Sequence, residues 1–190
     1  ERSFVVGPAL RRLALDTLNH DSVRGLRHQV LAQLVADIGE TCNFTALDGA
    51  NVLYLDRVEA PWPWRLTLEP GVRVPLHCTA SGKLFLAMLP VQRREQLLSH
   101  LQLDRLTSWT LTDLAALRQE CETIAAQGYS VDREEFIPGL IAVAVPVTDA
   151  QGQTRAGIAV HAPVARMDLA TALGKLPQLR EAAVRMGRLV

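Results

Sequence analysis

Two stretches near the C-terminal end, "LIAVAVPVT" from Leu140 and "TRAGIAVHAP" from Thr154, alternate between bulky and small residues. Strand side chains point to opposite faces in turn. Ile141, Val143, Val145 and Val147 therefore share one face, and Ala142, Ala144, Pro146 and Thr148 the other. The second stretch follows the same rule, with Ala156, Ile158 and Val160 opposite Gly157, Ala159 and His161. Asp149 to Gly152 supplies the turn residues between them. One face of this hairpin is bulky and the other leaves room. The small face either takes a closely packed helix, with His161 at an exposed strand end, or floors a pocket.

The period of two recurs earlier. "CNFTALDGANVLYLDRVE" is two extended runs around the Asp48-Gly49 turn signal, and "WRLTL" from Trp64 is a third. Elsewhere the period is helical. Pro8 suits a first helical position, with Leu10, Leu13 and Leu18 following. Asp21 or Ser22 can cap a second helix with the stripe Val23, Leu26, Val30, Leu34 and Ile38, stopped at Gly39. "PLHCTASGKLFLAMLP" starts a helix after Thr79 and closes it at Pro90. An amphipathic "VQRREQLLSHL" comes next, with Leu97, Leu98 and Leu101 inside. Thr112 can cap another helix, whose stripe is Leu114, Leu117, Cys121 and Ile124 and whose stop is Gly128. A final helix carries Leu169, Leu173, Leu176 and Leu179, kinked or broken at Pro177. Two helices, three strands, three helices, two or three strands and a helix make an α+β chain, an antiparallel sheet covered by helices.

With 190 residues, 48% of them hydrophobic, the chain can bury its own core. Lys and Arg balance Asp and Glu at 20 each, so nothing points to a nucleic-acid or membrane surface of its own. No apolar run reaches the length of a membrane-spanning helix. Three scattered cysteines, Cys42, Cys78 and Cys121, argue for a reducing cytoplasm rather than a disulfide framework. The first residues read as the middle of a longer protein.

The helix after Thr79 raises the functional question. Free N–H groups at a helix start favour an anion. Ser81 adds a hydroxyl, and Gly82 has no side chain to block an approach. Alternatively Thr79 only caps and Gly82 packs against a neighbour. Asp132, Glu134 and Glu135 either orient a ligand or metal, or form a solvated loop. No zinc spacing is present. The adjacent His77-Cys78 pair diverges and makes a poor dyad. Trp62 and Trp64 either form a lid or interface, or anchor the core.

Taken together, "FVVGPALRRLA", "LYLDRVE", "VPLHCTASGKLFLAMLP", "GYSVDREEFIPGLIAVAVPVTDAQG" and "AGIAVHAP" resemble, in order, landmarks of the IclR family of bacterial transcriptional regulators. The resemblance covers the C-terminal effector-binding domain. It implies a GAF-like curved antiparallel sheet, with helical linker or dimerisation helices over 1–39 and the effector domain over 40–190. It also implies a small-molecule effector, often a carboxylate, and a homodimer or dimer of dimers. DNA would be bound only by a separate N-terminal winged helix-turn-helix, and no cofactor or metal is implied. The family's helix-start positions fall on Ala80 and Ser81, and its acid on Asp132. Its Cys position falls on Ala142, its two Ser positions on Ala159 and His161, and an apolar wall position on Leu66, with Trp64 close by. Three polar positions have changed, which implies a less polar pocket with His161 as its handle. An aromatic or longer carboxylate, held at the Ala80 to Gly82 amides, then fits better than glyoxylate.

Two other functions compete with a ligand sensor. One is a thiol enzyme on a GAF-like scaffold, through Cys78 or Cys42. The other is a pure dimerisation module.

Overall fold

The computed structural model describes residues 21–63 and 68–190, together with residues 7, 9, 10, 12 and 13. The helix expected from Pro8 to Leu18 falls mostly outside these residues, as do the side chains of Asp21 and Ser22. Trp64, Arg65, Leu66 and Thr67 also lie outside them. Leu68, the last residue of the expected third extended run, is in no strand.

Helix α1 (Asp21–Ile38) is followed by β1 (Thr41–Asp48), β2 (Asn51–Val58) and β3 (Arg73–Pro75). Helices α2 (Ala80–Met88), α3 (Val91–Leu98) and α4 (Leu114–Gln127) come next. Strands β4 (Ser130–Arg133), β5 (Leu140–Thr148) and β6 (Thr154–Pro163) lead to α5 (Leu169–Leu173) and α6 (Leu176–Gly187). The six strands form one antiparallel sheet in the order β3-β2-β1-β6-β5-β4. The architecture is the expected α+β one, a curled GAF-like sheet flanked by helices.

The hairpins obey their turn chemistry. Asp48 pairs with Asn51 across a two-residue loop, and Gly49 takes a φ of 62°, which a side chain would disfavour. At the β5–β6 turn, Asp149 Oδ1 accepts from the N–H groups of Gln151 and Gln153, each at 2.9 Å.

The two sheet faces differ as the alternation predicts. Ile141, Val143, Val145, Ile158 and Val160 join one core cluster with Val30, Leu34 and Leu179, under α1 and α6. Ala144 and Ala159 face the other way, into a second cluster with Leu84, Phe85 and Leu117. The small face therefore admits α2, which is buried from Ala80 to Ala87. A helix so nearly apolar all round is stable only when enclosed. Truncating fully buried Leu84 or Leu86 to Ala would cost roughly 2–5 kcal/mol.

Several helix details depart from expectation. On α1 the buried stripe is Arg27, Val30, Leu31, Leu34, Val35 and Ile38, while Leu26 is 50% exposed and Val23 half-buried. Helical geometry turns Leu26 about 100° from Arg27, and the guanidinium is accepted inside because it stacks on Phe44 at 5.2 Å. Asp113, not Thr112, caps α4, its carboxylate accepting from Ala116 N at 2.7 Å. Thr112 instead accepts from Arg105. Pro177 breaks the last helix in two, since it lies in the first turn of α6, where its missing N–H costs nothing. On α3 only Leu98 is fully buried, with Leu97 and Leu101 packed half-buried on the second cluster.

Candidate functional site

Thr79 sets the start of α2. Its hydroxyl donates to Pro75 O at 2.7 Å and accepts from Gly82 N at 3.1 Å. Lys83 N bonds to Thr79 O at 3.0 Å. The N–H groups of Ala80 and Ser81 stay uncommitted among the described residues, at the positive end of the helix dipole. Thr79, Ala80 and Ser81 line a cavity against the small face of the sheet. The sheet contributes Ala142, Ala159 and His161, with Asp132 at the far strand and Asn43 and Tyr54 from β1 and β2. The space is narrow, about 20 Å³ for the centres of water-sized spheres, room for one or two waters.

Six of the sequence-predicted positions thus converge: Ala80, Ser81, Asp132, Ala142, Ala159 and His161. Trp64 and Leu66 fall outside the described residues. Gly82 does not line the cavity. A Cβ there would meet the backbone of Leu76, 2.3 Å from its carbonyl oxygen. Close packing of α2 on Leu76 requires this glycine, not ligand access, and its N–H is already spent on Thr79.

The acidic stretch is not a solvated loop. Asp132 Oδ1 accepts from Glu135 N at 2.7 Å and Phe136 N at 3.4 Å. Its other oxygen has no hydrogen-bond partner among the described residues. Asp132 is only 2% exposed, and burial pushes its carboxyl up to about 7, opposed by the hydrogen bond from Glu135 N and by the charge of Lys83, while the Glu135 carboxylate adds to the rise. Glu135 turns away to pair with Lys83, which is fully buried on α2 and also reaches Glu120 at 3.4 Å. Glu134, at a φ of 61°, accepts from Gly139 N.

The sequence reading missed Asn43, Tyr54 and Arg57. All three make the pocket more polar than Ala142 and Ala159 imply. Arg57, opposite Asn43 on the neighbouring strand, donates to Asn43 Oδ1 at 2.9 Å and to Glu59 at 3.2 Å. Asn43 Nδ2 lies 2.9 Å from His161 Nδ1, and Arg57 Nη2 lies 3.4 Å from His161 Nε2. Burial first, then the charge of Arg57, pushes the imidazole down to about 3, so it is neutral at physiological pH. His161 is 6% exposed and lies inside, not at an exposed strand end. Tyr54 and Ser81 have hydroxyls without partners among the described residues, and burial pushes the Tyr54 phenol up to about 12. Asn43 is one of several polar residues on β1, with Thr41, Thr45 and Asp48, so nothing in the sequence singles it out.

At the edge of this region Arg166 makes a two-point contact with Glu40, at 2.7 and 2.9 Å, and lies over the Trp62 ring. Trp62 donates to Gly39 O at 2.9 Å. It is a surface tie, neither core nor free.

The cysteines do not form a reactive site. All three are buried thiols, and burial pushes Cys78 up to about 12 and Cys121 up to about 11, with Cys42 raised further. His77 turns from Cys78 and lies 2.9 Å from Asp104 O. Among the described residues no cluster of three His, Cys, Asp or Glu is placed to hold a metal ion. No helix among them is long and apolar enough to cross a membrane.

The bacterial transcriptional regulator IclR C-terminal family model matches residues 15–188. The chain belongs to the IclR family. It is 45% identical over 185 residues to the probable transcriptional regulator SauR of Cupriavidus necator, covering 97% of this chain and 73% of that protein. The crystal structure of Thermotoga maritima IclR superposes with a TM-score of 0.83 at 29% identity, covering 97% of this chain and 74% of that one. The Acinetobacter PobR inducer-binding domain, a double mutant in complex with 3-hydroxy benzoic acid, gives 0.80 at 29% identity, covering 86% and 96%. These IclR-family relatives are transcriptional regulators, not enzymes.

Proposed function

We propose that this chain is the effector-binding part of an IclR-type regulator and that its effector is a small carboxylate. The carboxylate sits at the uncommitted amides of Ala80 and Ser81, and occupancy controls an attached DNA-binding domain. One observation carries this reading. Asp132, Tyr54 and Ser81 line the same cavity, and each keeps a polar atom with no partner among the described residues. Each of these atoms can bond a polar group placed in the cavity, so the three together favour a polar ligand there. The PobR complex supports an acid as ligand of this fold.

The segment 1–39 as linker or dimerisation helices, a homodimer or dimer of dimers, and a cytoplasmic location belong to the same proposal. Three cysteines that remain thiols support the last.

The narrow cavity bears on ligand size. A benzoate-sized ring is larger than the one or two waters the cavity holds, so an aromatic or longer acid requires the walls at Leu68 and Phe136 to move outward. A thermal-shift screen of small, aromatic and dicarboxylic acids tests the proposal. A ligand at about 100 times its dissociation constant adds about 2.7 kcal/mol of stability. A selective shift by one class, lost in Ser81→Asp, which sets like charge at the helix start, is the expected result. A flat screen overturns it and favours the dimerisation module, the reading that the narrow cavity otherwise supports.

A further inference from the structure

Trp109 is 64% exposed, and Leu106, three residues before it, is 44% exposed. The turn that carries them, between α3 and α4, is firmly tied down. Thr107 and Thr110 are buried, and their hydroxyls donate to Glu134 O and Glu135 O, each at 2.7 Å. The Thr110 hydroxyl also accepts from the N–H groups of Leu106 and Thr107, at 3.1 and 2.8 Å. Trp109 N donates to Thr107 Oγ1 at 3.0 Å. Two threonines thus pin the turn to the segment after β4 while the indole stands in solvent. Its N–H has no hydrogen-bond partner among the described residues. A large aromatic side chain on a backbone already held in place gives up little freedom on docking, which suits it to anchor an interface.

The same loop walls a cavity of about 320 Å³, set between the tip of the β1–β2 hairpin and the residues before α2. That is the size of a small ligand pocket. Pro75, Leu101 and Leu106 give it apolar walls, and His100, Gln102 and Asp104 line it as well. Asp104 O lies 2.9 Å from His77 Nε2, which fixes the backbone there. The Asp104 carboxylate makes no hydrogen bond among the described residues. Three residues span at most about 11 Å, so Trp109 stands beside the cavity that Leu106 lines without entering it. A projection and a matching hollow side by side on one surface are self-complementary. Under a two-fold axis each copy's projection meets the other's hollow.

We infer that this surface is a contact between two copies of the chain, in which Trp109 of each enters the cavity of the other and its indole N–H donates to the Asp104 carboxylate there. A second hollow, lined by Leu47, Arg93, Gln96 and Leu97, offers the indole no carboxylate. Two indoles bury about 300–500 Å², short of the roughly 1,200 Å² of a stable interface. The contact is therefore weak between two lone chains and strengthens where chains are already joined elsewhere. It is independent of the carboxylate reading, and it gives the proposed oligomer a surface outside segment 1–39.

The test is sedimentation velocity of the 190-residue chain from low to high micromolar concentration, beside Trp109→Ser and Leu106→Glu. Both substitutions lie at exposed positions, and thermal melts show that each variant is folded. The unmodified chain should associate as its concentration rises. Trp109→Ser should weaken that step at least about thirtyfold, as loss of an anchoring Trp does. Leu106→Glu should weaken it as well, because it sets a charge in the wall that receives the indole. An equimolar mixture of the two variants should associate more tightly than either alone, since one intact Trp109 then meets one intact cavity. Stacking of Trp109 on its own counterpart would not produce that rescue. Association that Trp109→Ser leaves unchanged overturns this inference and leaves the oligomer reading standing. A mixture no tighter than its components also overturns it. A chain monomeric at every concentration overturns both.

Discussion

Asp132 and His161 face each other across Ala142. Ala142 pairs with Asp132 on one side and with His161 on the other, so the two residues stand two strand spacings apart, about 10 Å. All three lie on the face beneath the start of α2, and the methyl group between the two polar side chains is the floor of the cavity. Two buried groups of opposite tendency thus bracket the site. Burial raises the carboxyl and lowers the imidazole, and both are uncharged near pH 6.

The first prediction concerns pH. With Asp132 pushed up to about 7, the folded chain holds a proton that the unfolded chain has lost between about pH 4 and 7. Its contribution to stability is therefore lost as pH rises through that window. Binding of a carboxylate should weaken as pH rises from 6 to 8, by up to about tenfold per unit above 7, because Asp132 then presents negative charge. His161 stays neutral throughout and does not reverse the trend. Titrations at pH 6, 7 and 8 on the unmodified chain and on Asp132→Asn check this. The variant should show a flat profile.

The second concerns close packing. Gly82→Ala should destabilise by about 3 kcal/mol, because the new methyl meets the Leu76 backbone, which cannot step aside. Gly157→Ala meets Thr45 Oγ1, Phe85 and Leu84 side-chain atoms at 3.3–3.5 Å and should cost about 1 kcal/mol. Urea unfolding of both variants ranks them. Equal costs would contradict the close approach of α2.

The third concerns the buried ion pair. Lys83→Met leaves Glu135 buried without its cation and should cost about 3–5 kcal/mol. Removing both charges in Lys83→Met with Glu135→Leu should recover much of that loss, since the pair's own net contribution is small. A double-mutant cycle by chemical denaturation measures the difference.

The fourth concerns the thiols. At pH 8 a disulfide reagent should label none of Cys42, Cys78 and Cys121 quickly in the folded chain, and all three once it is unfolded. A fast native thiol at Cys78 would reopen the enzyme reading.

Much of this was legible in the amino-acid order because it is local. Alternation alone separated a bulky face of β5 and β6 from a small one, and left the small face open between a closely packed helix and a pocket floor. Turn residues at Asp48-Gly49 and Asp149–Gly152 marked both long hairpins, and Thr79 marked the start of α2. Local errors came where two candidates stood side by side. Thr112 and Asp113 are both good caps, and Leu26 and Arg27 compete for one inward position.

The site divides along the same line. Ala80 and Ser81, Asp132, Ala142, Ala159 and His161 each stand in a recognisable stretch, and through the family resemblance the sequence implied that a small-faced sheet and a polar helix start would meet. It did not determine how polar the meeting place is. Asn43 and Arg57 come from strands more than 100 residues before His161, and only the β1–β6 and β1–β2 registers bring the three together. Gly82 shows the converse. Its sequence context suggested ligand access, while the tertiary structure spends it on the Leu76 backbone. Side-chain period is written in neighbouring residues. Strand register and close approach depend on how distant segments pack, so only the folded chain decides which buried donors and acceptors find partners.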